Sequence, residues 1–270
     1  MGLTNDIRIA DGLPHFDGMQ QTKSPAEQRL NHSLNGQRIV LIGGTSGFGF
    51  ATARAAASEG AAVIVASSNE TKVDQAVAQL PAGTEGHVLD ITREASVAAF
   101  FAKIGAFDHL AITAGESLKL GEFAALNLEE ARRFFETRFW GALTVAKYAS
   151  QQIKTSGSII LTNGMIGLRP QKGWAVAAGV CGALEALTRA LAVELAPVRV
   201  NLVCAGFVRT ELWGNMPESE RNALFEKAGQ MLPVGRIGEA DDLAETYLYL
   251  MRERFSTGAM ILVDGGGVLV

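Results

Sequence analysis

The sequence predicts an α/β protein, a single domain built on a doubly wound, parallel, seven-stranded sheet. Three observations carry this. Short apolar segments alternate with longer helical ones from residue 36 onward. The strand segments are apolar at consecutive positions, as strands covered by helices on both faces must be. The 30 glycines in 270 residues gather where a strand segment runs into a helix, not in a low-complexity tract.

Residues 1–35 are polar and aperiodic, with scattered Gly, Pro, Asn and Gln. They are expected to form an N-terminal extension, partly disordered or contacting a partner, and residues 36–270 the domain. Arg38–Ile42 reads as the first strand, ending in glycines. Residues 48–60 are an Ala-rich helix closed by Gly60. Ala62–Ala66 is the second strand and 69–80 its helix. Strand three is expected over 86–90 and a helix over 93–104. Strand four is expected over 108–113, then one long helix over 128–153. Strand five is expected over 157–162, a second long helix over 174–195, and strand six over 198–203. A helix over 239–251 and a strand over 259–263 complete the alternation, which is that of a parallel sheet with crossover helices.

Composition narrows the function classes. A chain that is 48% hydrophobic and 19% charged suits one large soluble domain. A net charge of −4 gives no general attraction to nucleic acid or to an anionic membrane. Cys181 and Cys204 sit in apolar segments and read as reduced structural thiols. His15, His32, His87 and His109 have no ligand spacing, so no metal site is expected. No apolar run looks long enough to span a membrane, and no signal-peptide stretch is apparent, so a cytoplasmic location is expected.

The segment Gly43-Gly44-Thr45-Ser46-Gly47-Phe48-Gly49 lies between the first strand and the first helix. Glycines permit the tight turn and a close backbone approach to a pyrophosphate. The helix that follows offers unpaired N–H groups and a positive dipole end. That context makes the fold Rossmann-type. Thr45, Ser46 and Phe48 complete the expected phosphate cradle.

The spacing Gly43-x-x-x-Gly47-x-Gly49 resembles the short-chain dehydrogenase/reductase family. Asp90-Ile91 resembles its adenine-contacting acid after strand three. Thr113-Ala114-Gly115 resembles the end of its Asn-Asn-Ala-Gly turn. Asn201-x-x-x-Ala205-Gly206-x-x-x-Thr210 resembles its Pro-Gly turn and nicotinamide-contacting threonine, with Val208 between. Pro233-Val-Gly-Arg236-x-Gly238, Asp242-Leu-Ala244, Thr257-Gly258 and Val263-Asp264-Gly265-Gly266 resemble its C-terminal signatures. The resemblance covers residues 36–270 and implies a dinucleotide cofactor and a small-molecule substrate.

The end of strand two reads Ala66-Ser67-Ser68-Asn69, where an NAD site carries an acid for the ribose 2′-OH. No carboxylate there repels a 2′-phosphate. The hydroxyls and the Asn69 amide can donate to one, and Lys72 lies within a helical turn. NADP(H) is therefore favoured over NAD(H), although Ser68 stands where the family's NADP arginine often is. Glu70 reads as a first-turn acid stabilised by the helix dipole.

The resemblance also implies where a catalytic Asn-Ser-Tyr-Lys tetrad should sit. Those positions hold Arg138, Gly164, Ala177 and Cys181. The other tyrosines, Tyr148, Tyr247 and Tyr249, are not placed to substitute. On a continuous helix Lys147 points away from Arg138 and Tyr148 lies too far along. Lys172 reads as a solvated loop residue. Arg138 is a charge on a face carrying Phe134, Phe135 and Trp140. It either contacts substrate or cofactor, or pairs with an acid such as Glu136 or Asp108. Asn163 either hydrogen-bonds a substrate or caps the turn after strand five. Cys181 reads as packing.

Residues 207–232 occupy the place of the family's substrate loop, with Leu212, Trp213, Met216, Leu224 and Phe225 as an apolar lid or an ordinary amphipathic helix. The helices over 128–153 and 174–195 resemble those that build homodimers or homotetramers. The expected function is an NADP(H)-dependent oxidoreductase acting on a small carbonyl or alcohol with an atypical site. The alternatives are a non-catalytic NADP(H)-binding sensor or assembly subunit, and a non-redox lyase or isomerase retaining the cofactor.

Overall fold

The computed structural model describes residues 33–115, 121–214 and 216–270. The expected extension lies outside the described residues except at 33–35. There Leu34 is fully buried among core residues, so the packed domain begins before residue 36.

Among the described residues, seven parallel strands form one sheet in the order β3-β2-β1-β4-β5-β6-β9. They are β1 (Arg38–Ile42), β2 (Ala62–Ser67), β3 (Glu85–Val88), β4 (Phe107–Ile112), β5 (Ile153–Gly164), β6 (Arg199–Ala205) and β9 (Met260–Val263). A separate short pair, β7 (Val208–Arg209) with β8 (Gly238–Glu239), was not foreseen. The helices are α1 (Gly47–Ser58), α2 (Glu70–Gln79), α3 (Glu94–Ile104), α4 (Leu128–Phe135), α5 (Gly141–Ala149), α6 (Ala175–Glu194), α7 (Glu218–Met231) and α8 (Ala240–Arg252).

Strand alternation builds two cores. Val40 and Ile42 of β1 face a layer made by α3, α4, α5 and α6, with Phe101, Val145 and Leu184. Ile39 and Leu41 face the opposite layer, with Ala53 and Ala56 of α1 and Tyr247 and Leu248 of α8. Each fully buried Leu, Ile or Phe contributes roughly 1.5–3 kcal/mol. The central strands are thus buried on both faces, as expected. β3 is the exception: it is an edge strand and largely exposed.

Two further expectations are corrected. The long helix over 128–153 is interrupted by a π-helical turn, Glu136–Trp140, and ends at Ala149, after which Ile153 opens β5. Helix α6 is long and apolar enough, by length and composition, to cross a membrane. It instead packs on β5 and β6, with Ala177, Val180, Leu184 and Leu191 buried.

The strand order reverses between β1 and β4, which leave the sheet side by side: Ile42 pairs with Ala66 of β2 and Ile112 of β4. In an open α/β sheet that reversal, at the carboxyl ends of the strands, opens a crevice for a ligand.

Candidate functional site

A cavity of about 670 Å³ occupies that crevice. This is within the range of about 300–1,000 Å³ usual for small-molecule and cofactor sites. Gly43, Thr45, Ser46, Gly47 and Phe48 line it from the first turn. Ser67, Ser68 and Asn69 line it from β2, and Asp90 and Ile91 from the segment after β3. Thr113, Ala114 and Gly115 follow β4, and Gly206, Val208 and Thr210 follow β6. Gly49 does not line it but makes the turn possible. A Cβ there would collide with Gly43 O and meet Thr113 Oγ1 at 2.5 Å.

The turn is built for close backbone approach. Gly43 has φ +90° and Gly47 φ +49°, a left-handed region that favours glycine. Thr113 pins it from the neighbouring strand end: its N–H donates to Ile42 O at 2.8 Å and its hydroxyl to Ile42 O at 3.2 Å. The N-terminus of α1 then points its first-turn N–H groups at the cavity. Ser46, its N-cap, makes no side-chain capping bond, and no acid occupies the first turn. The starts of α2 and α4, by contrast, are capped by asparagine side chains and carry first-turn acids. Asn69 accepts from Lys72 N at the start of α2, and Asn127 accepts from Glu129 N and Glu130 N at the start of α4. An uncapped, acid-free helix start above a glycine cradle fits an anionic group such as a diphosphate.

Asp90 is fixed as a carboxylate. Thr92 donates its hydroxyl at 2.6 Å and its amide at 3.0 Å to Oδ1, and these bonds hold the carboxyl below its usual range. Asn69 spends its side-chain oxygen on the α2 cap, which leaves its NH₂ for a ligand. Lys72 joins the cavity wall, with Nζ 3.2 Å from Glu211 Oε2.

At the far end the wall is made by Phe134, Arg138, Asn163, Gly164, Trp174, Ala177 and Cys181. Arg138 sits in the π-turn. Its guanidinium carbon lies 4.8 Å from the centre of the Phe134 ring, and the group covers Gly115, where an added Cβ would meet it at 2.7 Å. Trp140 does not share that face; it is exposed. Asp108, one of the acids expected to pair with Arg138, is taken by Lys154 Nζ at 2.9 Å and by the Arg38 amide at 2.8 Å.

Asn163 lies inside β5, opposite Cys204, and does not cap a strand-end turn. It is 6% exposed. Its NH₂ donates to Cys181 O at 3.3 Å and to Glu185 Oε1 at 3.4 Å. Two acceptors fix the orientation of the amide, and its Oδ1 is buried with no hydrogen-bond partner among the described residues.

The comparisons with known proteins agree with this geometry. A family model described as enoyl-(acyl carrier protein) reductase matches residues 43–267. The short-chain dehydrogenase/reductase ATR9 of Stachybotrys chlorohalonatus is 36% identical over 254 residues, covering 88% of this chain and 99% of that one. The chain belongs to the short-chain dehydrogenase/reductase family. A solved small-chain dehydrogenase in complex with NADPH is 38% identical, with a TM-score of 0.78, over 87% of this chain and 100% of the other. The MalC reductase/Diels-Alderase of Malbranchea aurantiaca is 29% identical, with a TM-score of 0.83, over 88% of this chain and 99% of the other.

Elsewhere around the cavity, the remaining side chains fall where their partners dictate. Ala177 and Cys181 are buried on the cavity wall, and burial pushes the Cys181 thiol up. The Cys204 thiol is pushed up to about 12 by burial. Neither is a thiolate nucleophile at neutral pH. A Cβ on Gly164 would meet only Ala205 O, at 3.7 Å, so the wall has space there. Lys147 and Tyr148 both hold Glu94 on the surface, at 2.7 and 2.9 Å, away from the cavity. Lys172 is exposed and does not line it. Of the expected lid, Trp213 lines the cavity, stacked on Phe207 with centroids 5.9 Å apart, over a buried Phe225. Met216 and Leu224 lie outside the cavity wall, and the Leu212 side chain is outside the described residues. Phe207, Trp174 and Glu211 are wall residues that sequence reasoning did not assign; each follows a glycine or threonine it had assigned, or opens α6.

Proposed function

We propose that this short-chain dehydrogenase is an NADP(H)-dependent oxidoreductase acting on a small carbonyl or alcohol through an atypical site. One observation supports this above the others. A single cavity joins the uncapped start of α1 to the chamber walled by Arg138, Asn163, Ala177 and Cys181. Gly43 to Phe48 would hold the cofactor's diphosphate, Asp90 and Ile91 its adenine, and Gly115, Gly206, Val208 and Thr210 its nicotinamide end. The bound cofactor would supply or accept the hydride. NADP(H) is preferred to NAD(H) in this reading because Ser67, Ser68 and Asn69 end β2 without a carboxylate, and the NADPH complex of a relative supports it.

The site is atypical because the positions of the family's Asn, Ser, Tyr and Lys are read as Arg138, Gly164, Ala177 and Cys181. Ala177 has no proton to give, and a buried neutral thiol cannot supply a lysine's charge. Arg138 keeps its charge and would stabilise negative charge growing on the substrate oxygen; it is a poor proton donor. The proton then comes from water, which fits the open space at Gly164. The Asn163 Oδ1 would accept from a substrate O–H or N–H and so orient it. A homodimer or homotetramer remains the proposed assembly, with Leu128 and Val193 among the exposed apolar residues of α4 and α6.

The missing proton donor favours a second reading, in which the cofactor is retained for non-redox chemistry or for sensing. A panel of carbonyl compounds separates the two, with NADPH oxidation followed by absorbance in wild type and Arg138→Ala. The first reading expects turnover in wild type and a loss of roughly 10²–10³-fold in the variant, as for removal of one oxyanion donor. Equal turnover in both removes Arg138 from the mechanism. NADPH binding with no oxidation by any compound supports the second reading.

A further inference from the structure

We propose that Lys72 reads the 2′-phosphate of the cofactor, and that Glu211 competes for the same ammonium, so their ion pair is a latch that a 2′-phosphate opens. The inference rests on the NADP(H) reading and adds the residues that set its selectivity.

Among the described residues lining the cavity, the cations are Lys72 and Arg138 and the acids are Asp90 and Glu211. Arg138 covers Gly115 and Phe134, and Asp90 is held by Thr92. That leaves Lys72 and Glu211 facing each other at 3.2 Å. Lys72 sits in the first turn of α2, just past the Ser67 and Ser68 hydroxyls at the end of β2. Glu211 opens the short turn after Thr210, on the loop that carries Trp213. The pair therefore ties the β2 end of the cavity to the 207–232 loop.

The pair is easily exchanged. The two side chains are 50% and 65% exposed, and ion pairs so exposed contribute little net stability. A phosphomonoester carries a charge of about −1.5 to −2 and three acceptor oxygens, against one negative charge on a carboxylate. Placed beside Ser67 and Ser68, it would attract the Lys72 ammonium more strongly than Glu211 does. One ammonium cannot neutralise both, so the 2′-phosphate releases the Glu211 carboxylate from Lys72. Glu70, exposed in the first turn of α2, opposes the phosphate. Lys72 is needed the more for that reason.

The test is calorimetric binding of adenosine 2′,5′-bisphosphate and adenosine 5′-monophosphate to the full chain in four forms: wild type, Lys72→Ala, Glu211→Gln and the double variant. Wild type is expected to prefer the bisphosphate. Lys72→Ala should weaken the bisphosphate about tenfold, the scale of one charge-assisted contact, and leave the monophosphate nearly unchanged. Glu211→Gln should tighten the bisphosphate about threefold at low salt and less at high salt. That gain should vanish when Lys72 is already alanine. A Lys72→Ala variant that keeps the wild-type preference overturns the inference while leaving the NADP(H) reading intact. So does a Glu211→Gln gain that persists without Lys72. Wild type that does not distinguish the two ligands overturns both.

Discussion

Substituting Ser46 with Asp should stabilise the protein and abolish cofactor binding. Ser46 is the N-cap of α1, in extended conformation at φ −158° and ψ 170°, and its side chain makes no capping bond. An Asp there can accept from the first-turn N–H groups, a gain of about 0.5–2 kcal/mol. Its charge at the positive end of the helix adds about 0.3–1 kcal/mol. At about 2–4 °C per kcal/mol for a domain of this size, Tm should rise by several degrees. The same carboxylate stands where the first turn would receive a diphosphate. Two unit charges about 4 Å apart repel by about 4 kcal/mol at an effective dielectric of 20, on the order of a thousandfold in affinity. Ser46→Ala is the control: no capping bond is lost, so stability should stay within about 0.5 kcal/mol of wild type and not fall by the usual ~1 kcal/mol. Thermal unfolding of the three proteins, with and without NADPH, reads both effects. An Asp variant that keeps the wild-type NADPH shift would refute the assignment of α1 as the anion seat.

Three further outcomes are expected. His109 is buried between Ser158 and Gln37. Its Nε2–H donates to Gln37 Oε1 at 2.6 Å, because the Gln37 NH₂ is engaged with Ser33 O, and Nδ1 accepts from Ser158. Burial pushes its pKa down from 6.5 to about 4. Between those values the unfolded chain binds the extra proton, so stability rises with pH there and falls by up to about 3 kcal/mol as pH drops through the window. His109→Gln should flatten that part of a Tm–pH profile; an unchanged slope assigns it to other groups. Leu34→Ala should cost about 2–5 kcal/mol in denaturant unfolding, because Leu34 is fully buried; a cost below 0.5 would place residues 33–35 outside the domain. Gly164→Ser should fold with stability within about 1 kcal/mol of wild type, since its Cβ meets only Ala205 O at 3.7 Å; a large loss would mean the wall is already filled.

The fold was legible because its signals are local. Apolar runs, glycine turns and helix caps each occupy a few consecutive residues, and their alternation determines a parallel sheet. The phosphate turn was legible for the same reason. What escaped the sequence depends on partners far away. Asn and Gly are poor strand formers, yet Asn163 and Gly164 extend β5 because Cys204 and Ala205 of β6 pair with them. The π-turn that carries Arg138 adds no distinctive residue type, so its helix read as continuous. The apolar character expected of every strand failed at β3, whose place at the sheet edge is a fact of topology. Glu211 could be placed opposite Lys72 only once the chain had folded, since 139 positions separate them.

The central claim is that this cavity is an NADP(H) site. Calorimetric titration of the full chain with NADPH and then NADH tests it directly. One site per chain for NADPH, with binding at least tenfold tighter than for NADH, is the predicted result. No binding of either dinucleotide, or tighter binding of NADH, would contradict it.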